Sequence, residues 1–167
     1  MLRYLLIGLS SFCLCACGFH LRALQKELPF SSVAVSGDSA VARQLRQQLE
    51  HLQGSKLNAS SSKADATIVI LSEKNEKRIS ALTRGGKVAE YQLRYLVEFS
   101  VNNSRGEVLQ APALVDIRRD FPYDDQQTLS KEYEEKKLMD DMRAQAVETI
   151  FRRISALHGQ ALKTPGQ

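Results

Sequence analysis

Tryptophan is absent from this chain of 167 residues, and phenylalanine and tyrosine together bring the aromatic content to only 7%. With so few rings, we expect no platform on which single-stranded nucleic acid could stack. The formal net charge of +4 is also mild and falls short of the clustered basic charge of nucleic-acid-binding proteins. The sequence therefore predicts no nucleic-acid partner, whereas its 43% hydrophobic residues are typical of a globular protein.

Catalytic and metal-binding motifs are missing as well. The three histidines, His20, His51 and His158, have no second histidine, cysteine or acid at ligand spacing. There is no G-x-S-x-G elbow, phosphate-cradling glycine loop or EF-hand loop. The acidic pairs at 134–135 and 140–141 diverge by about 100° on a helix, so they cannot converge on one substrate atom. We predict a noncatalytic protein without cofactor or metal.

The three cysteines lie at positions 13, 15 and 17, next to an apolar run at residues 5–14 that follows Arg3. This run is too short for a spanning helix, which needs about 20 apolar residues, and it has the proportions of a signal-peptide core. Residues 14–17 (LCAC) resemble the bacterial lipobox, in which the last cysteine receives the lipid. We predict that residues 1–16 are a lipoprotein signal peptide and that Cys17 is acylated.

Acylation at Cys17 predicts where the mature chain resides. Several acyl chains anchor a protein stably, because one chain alone binds a membrane only marginally. Gly18 occupies the position at which lipoproteins kept in the inner membrane usually carry aspartate. We therefore expect residues 17–31 to be a lipidated anchor segment in the outer membrane, and a mature chain without a free thiol.

Hydrophobic periodicity predicts a strand, a helix and a second strand in the next part of the chain. Residues 32–36 form a short strand, and Asp38 or Ser39 can cap a helix whose apolar positions recur at helical spacing, at Val41, Leu45, Leu49 and Leu52. Residues 66–71 are continuously apolar, which predicts a strand buried on both faces. This order implies a parallel crossover.

Two hairpins and a long helix follow. A turn at residues 84–87 precedes residues 89–101, which alternate cleanly so that one face carries Tyr91, Leu93, Tyr95, Val97, Phe99 and Val101. Residues 108–119 return as a strand in which Pro112 favours an edge or a bulge. The last helix reaches about residue 157 on an apolar stripe of Leu138, Met142, Ala146, Ile150, Ile154 and Leu157. We predict an α+β domain at residues 32–158, with two helices on one face of a mixed sheet of about four strands, and a flexible tail at 159–167.

Basic residues concentrate at the predicted ends of these elements. Arg84 and Lys87 lie at a hairpin tip, Arg119 closes a strand, and Lys131 lies at the start of the last helix. Such cations suit phosphate groups, which arginine can bind through two hydrogen bonds. The residues alone do not select among these four positions.

Four landmarks in fixed order resemble the LptE family, the lipopolysaccharide-assembly lipoproteins of the Gram-negative outer membrane. They are residues 17–22 (CGFHLR), 84–91 (RGGKVAEY), 118–124 (RRDFPYD) and 129–131 (LSK). The resemblance implies a two-helix, small-sheet fold, a plug inside the lumen of the outer-membrane β-barrel LptD, and help in assembling that barrel and passing lipopolysaccharide outward. It implicates Arg84 and Lys131 in binding lipopolysaccharide, whereas Lys87 and Arg119 are candidates from the residues alone.

Two other functions remain open at this stage. A pilotin-like lipoprotein that escorts a secretion pore would share the anchor and the domain, and its long last helix could line a groove for a partner peptide. A lipid-anchored periplasmic hydrolase would have to depend on Asp124, Asp125 and His158, the only side chains suited to its chemistry.

Overall fold

A computed structural model describes residues 28–51, 56–57 and 63–159 of the protein. The predicted signal peptide, Cys17, Gly18, His20 and most of the anchor segment lie outside the described residues, as do Leu52 and residues 160–167 of the predicted tail.

The described residues form one mixed sheet and two helices. In chain order these are β1 (Ser32–Ser36), α1 (Ala40–Glu50), β2 (Lys56–Leu57), β3 (Ala66–Leu82), β4 (Val88–Asn103), β5 (Val108–Pro122) and α2 (Thr128–Ser155). The strand order is β2-β1-β3-β4-β5. The predicted α+β class and the parallel pairing of β1 with β3 are both confirmed. The sheet has one strand more than the four predicted. The additional strand is β2, which has only two residues and pairs parallel to β1.

Helix α1 begins where the sequence predicts. The Ser39 hydroxyl accepts a hydrogen bond from the Ala42 amide at 3.2 Å, which satisfies one of the free amides of the first turn. A second free amide, that of Val41, donates to the Glu73 carboxylate at 3.0 Å. The buried side chains of α1 are Val41, Leu45 and Leu49, three of the four predicted apolar positions, together with Ala42.

Strand β3 is much longer than residues 66–71, and the prediction that this segment is buried on both faces is wrong for Leu71, which is 48% exposed. The pairing steps from Ile70 to Ser72, so Leu71 is an extra residue in the ladder. Beyond this bulge, odd-numbered rather than even-numbered residues of β3 lie opposite the core-facing residues of β4. Apolar alternation therefore ends at the bulge, although the strand continues to Leu82.

The other two long strands match their predictions closely. Strand β4 buries Leu93, Tyr95, Val97, Phe99 and Val101 completely on one face. Strand β5 is the edge of the sheet, and Pro112 lies at a step in its pairing with β4, between Gln110 and Ala113. Edge position and bulge thus both occur at the proline, where no ladder hydrogen bond is lost.

The two halves of α2 differ in burial. All its buried side chains lie in the second half, from Met142 to Ile154, where they join α1 and the sheet in one hydrophobic core. Leu138 and Met139 are only partly buried, and no residue from Thr128 to Ser130 is buried. Of the helices in the described residues, none has the length and apolar character needed to cross a membrane.

Candidate anion-binding site

The first turns of α2, the end of β5 and the β3–β4 turn meet at one end of the sheet, here called the distal end. Pro122 pairs with Glu90, and the Tyr123 amide donates to the Ala89 carbonyl at 2.9 Å. Asp124 then accepts from the Gln126 amide at 3.0 Å and begins the short 3-10 turn that leads into the helix. Backbone contacts thus hold the helix start beside the hairpin.

The β3–β4 turn presents Arg84 to solvent. Thr83 donates its amide to the Lys87 carbonyl at 2.8 Å, and the Gly86 amide donates back to the Thr83 carbonyl at 3.0 Å. Gly86 adopts φ +77°, which glycine takes without steric cost. Within the part of the chain that the structure describes, Arg84 is exposed and has neither a hydrogen bond nor an ion pair. It is a cation held out on a closed turn.

Lys87 joins the turn to the beginning of α2. Its Nζ lies 2.6 Å from Asp125 Oδ2, and both side chains are more than half exposed. The hydrogen bond with Asp125 raises the pKa of Lys87, and the same contact lowers the pKa of Asp125. The positive charge of Lys87 is therefore partly compensated by its own chain.

Lys131 is less accessible than its position near a helix start suggests. Its side chain is only 17% exposed, and its Nζ lies 2.8 Å from Glu134 Oε2. The ammonium group also lies 5.3 Å from the centroid of the Phe121 ring, within range of a cation–π contact. The end of β5 thus places an aromatic ring beneath this lysine.

Lys77 is a fourth cation at this end, and the sequence analysis missed it. Its Nζ lies 4.3 Å from the Tyr91 ring centroid and 5.8 Å from those of Phe121 and Tyr123. The same atom lies 2.5 Å from Glu135 Oε2 on α2. Lys77 faces the helix because the bulge in β3 shifts which residues point to that side of the sheet. The sequence could have indicated this only by pairing β3 with β4 residue by residue, starting from the turn at 84–87.

Arg119 makes a different contact from the other candidates. It pairs with Leu93 on the helix-facing side of β5, and its Nη2 donates to Gln145 Oε1 at 2.8 Å. At 1.5 Å per residue, Gln145 is about 21 Å along α2 from Lys131. Arg84, Lys87 and Lys131 thus lie on the β3–β4 turn and at the start of α2, whereas Arg119 lies within β5, two residues before Phe121, with its guanidinium bonded to Gln145.

A second polar group lies between the sheet and the helices. Tyr95 donates its hydroxyl to the Glu73 carboxylate, and Arg143 Nε donates to the Tyr95 oxygen at 3.1 Å. Partial burial would raise the pKa of Glu73, but hydrogen bonds from Tyr95 and the Val41 amide outweigh it and lower the pKa. Burial, followed by the bond to Glu73, raises the pKa of Tyr95. This group ties α1, β3, β4 and α2 together.

The sheet face opposite the helices carries its own charge network. Arg94 Nη2 lies 2.7 Å from Asp116, Arg118 Nη2 lies 2.6 Å from the same carboxylate, and Glu76 bridges Arg94 to Arg78. Hydrogen bonds from Arg118 and Arg94 hold the pKa of Asp116 far below its usual range. Arg94 is thus paired with carboxylates of both neighbouring strands, and Arg118 and Arg78 with carboxylates of their own strands.

The hydrolase hypothesis does not fit this geometry. Asp124 caps the 3-10 turn and Asp125 pairs with Lys87, whereas His158 follows the other end of α2. A helix of 28 residues is about 42 Å long, so the two aspartates and the histidine cannot act on one bond. Among the described residues, no three His, Cys, Asp or Glu side chains lie close enough to hold a metal ion.

Comparison with known proteins gives a consistent set of similarities. The family model described as LptE, lipopolysaccharide-assembly, matches residues 29–154. A curated protein called LPS-assembly lipoprotein LptE, from Photorhabdus laumondii, is 31% identical over 160 residues, covering 92% of this chain and 85% of its own length. One of the same name from Yersinia pestis is 29% identical over 166 residues, covering 95% and 78%.

Solved structures of lipoproteins share the fold. The solution structure of lipoprotein B from Nitrosomonas europaea superposes with a TM-score of 0.75 at 30% identity and covers 90% of this chain and 98% of its own. The crystal structure of the rare lipoprotein B from Shewanella oneidensis gives a TM-score of 0.68 at 26% identity, covering 78% and 98%.

Proposed function

The chain belongs to the LptE family of lipopolysaccharide-assembly lipoproteins, and we propose that it binds lipopolysaccharide at its distal end while plugging the lumen of the LptD β-barrel. In this proposal the protein is noncatalytic, helps LptD to assemble, and is anchored by acylated Cys17 on the periplasmic side of the outer membrane. The pilotin-like alternative has no support from the family assignment.

The observation that carries the proposal is the concentration of cations at one end of the fold. Arg84 is exposed without a partner among the described residues, and Lys87 and Lys131 lie at the same end on separate elements. Phosphate groups of lipopolysaccharide can accept hydrogen bonds from several such cations at once. Because the Tyr123 amide bonds to the Ala89 carbonyl, the start of α2 can stay beside the hairpin without the ligand.

The proposal is tested by reversing charge at the distal end and at the other end in parallel. The double variant Arg84→Glu, Lys131→Glu should bind lipopolysaccharide at least about tenfold more weakly than the parent chain, since lost charge-assisted contacts exceed about 1.4 kcal/mol. Arg105→Glu, Arg152→Glu makes the same charge change at exposed positions in the β4–β5 turn and late in α2. Binding should be nearly unchanged in this control.

Equal weakening of both variants would attribute binding to net charge and remove the site. The partner arm of the proposal is tested by extracting the tagged full chain from outer membranes in mild detergent. A stoichiometric large β-barrel of the LptD type supports the plug, whereas a secretin would support the pilotin-like function.

Membrane attachment through Cys17 is tested separately. The variant Cys17→Ala should lose the mass of the acyl chains and leave the membrane fraction when LptD is absent. Retention of the acylated mass would contradict the assignment of Cys17.

A further inference from the structure

Each lysine of the distal end is already paired with an acid from one short segment of the chain. Lys87 contacts Asp125 at 2.6 Å, Lys131 contacts Glu134 at 2.8 Å, and Lys77 contacts Glu135 at 2.5 Å. All three acids come from the turn before α2 or from its first turns. An anionic ligand can therefore bind these lysines only by displacing carboxylates that already pair with them.

Two of the lysines share one aromatic ring. Lys77 and Lys131 both lie over Phe121, at 5.8 Å and 5.3 Å from its centroid, although they come from β3 and α2. Lys77 is further held by Tyr91, whose ring packs edge-on against Tyr123 at 5.2 Å between centroids. The rings can keep both ammonium groups in position when a carboxylate leaves, because cation–π attraction does not depend on the acid.

We propose that Lys77 and Lys131 together bind a phosphate group of lipopolysaccharide, and that Glu134 and Glu135 occupy these lysines until the phosphate displaces them. The inference rests on the proposed function and adds Lys77 as a ligand and the two glutamates as built-in competitors. A phosphate monoester carries about 1.5 to 2 negative charges and three acceptor oxygens, so it can bridge two ammonium groups that single carboxylates hold separately.

Partial loss of solvation favours the exchange of one anion for another at these lysines. The side chains of Lys77 and Lys131 are 35% and 17% exposed, so water can solvate their ammonium groups only in part. A cation with reduced solvation favours an anionic partner at all times. The resident glutamates supply that partner in the unliganded protein, and the ligand must supply it when they move away.

The decisive variant is Glu135→Gln, because a gain in affinity cannot result from misfolding. Removing the competitor of Lys77 should tighten binding of phosphorylated lipopolysaccharide about two- to fivefold, the range expected for a partly exposed ion pair. Glu132→Gln is the matched control, since Glu132 is exposed on the same helix turn and pairs with no cation in the described part of the chain. It should leave the affinity unchanged.

The complementary variant is Lys77→Gln, which should weaken binding about tenfold through loss of one charge-assisted contact. Lys137→Gln, at an exposed position of α2, is its control and should have no such effect. Affinities are measured by calorimetry on the full chain in detergent, with intact lipopolysaccharide and with the same material after enzymatic removal of its phosphates. The gain from Glu135→Gln should vanish on the dephosphorylated ligand.

Three results would overturn the inference: equal gains from Glu132→Gln and Glu135→Gln, no gain from Glu135→Gln, or a gain that persists without ligand phosphates. A further result would also overturn it: displacement of the lipid by equimolar inorganic phosphate would mean that the site binds free phosphate rather than a lipid. If Arg84→Glu, Lys131→Glu still weakens binding in these cases, the proposed function stands and only the exchange is wrong. If that variant also has no effect, both fail.

Discussion

The two ends of the sheet are made from the same three long strands and the same helix, yet different interactions hold each of them together. Toward the β4–β5 turn, the second half of α2 buries Met142, Ile150 and Phe151 against strand residues such as Phe99. At the distal end, the first turns of α2 contact the sheet through polar groups. Lys77 pairs with Glu135, and both Lys77 and Lys131 lie over the Phe121 ring. Most of the apolar packing thus lies toward the β4–β5 turn, whereas ion pairs and cation–π contacts predominate at the distal end, where we propose that the ligand binds.

The largest difference should appear when one apolar side chain is removed at each end. Phe151→Ala deletes a side chain that is 1% exposed and should lower the free energy of unfolding by about 3–5 kcal/mol. Leu129→Ala deletes a side chain that is 83% exposed and should change it by less than about 0.5 kcal/mol. Chemical denaturation of both variants measures the difference, and similar losses would refute the division of labour.

A smaller effect is expected at Glu73, which links the two regions through α1 and Tyr95. Glu73→Gln should cost about 1–2 kcal/mol at neutral pH, because the Val41 amide and the Tyr95 hydroxyl donate to different carboxylate oxygens and glutamine has an acceptor at only one of these positions. Folding lowers the pKa of Glu73, so this stability is present above the ordinary glutamate pKa of about 4.3 and is lost as pH falls through the folded value.

The pH dependence gives this prediction its control. Denaturation curves of the parent and of Glu73→Gln should differ at pH 7 and converge as the pH falls through the lowered folded pKa of Glu73. A difference that stays constant with pH would mean that the carboxylate charge contributes nothing.

The smallest expected effect concerns the turn that carries Arg84. Gly86→Ala places a β-carbon on a residue with φ +77° and should cost about 1 kcal/mol, although no atom lies within 4 Å to clash with it. Gly85→Ala, at the neighbouring residue without a positive φ, should be nearly neutral. Equal unfolding midpoints for the two variants would contradict the observed turn geometry.

The same contrast explains what could be predicted from the sequence. Strand β4 is covered by helices on one face, so the apolar face from Leu93 to Val101 is readable directly as alternation. In β3 the bulge at Leu71 reverses the alternation, and the polar residues beyond it resemble a loop. Successive side chains of a strand point to opposite faces, so one inserted residue reverses the apolar pattern. The second half of β3 is therefore not recognisable as a strand from the sequence.

The distal end could be predicted only in part for a related reason. Arg84 and Lys87 follow from a turn signal that depends on neighbouring residues alone. The partial burial of Lys131, the position of Lys77 and the bond from Arg119 to Gln145 depend on how α2 lies over the end of β5. Such contacts join residues distant in sequence, and local patterns carry no signal for them.

The central claim is that lipopolysaccharide contacts the distal end, and site-specific photocrosslinking in intact cells tests it most directly. A photoreactive residue in place of Arg84 should crosslink to lipopolysaccharide, whereas the same residue in place of Arg105, in the turn at the other end of β4, should not. Lipopolysaccharide adducts at position 105 with none at position 84 would contradict the account.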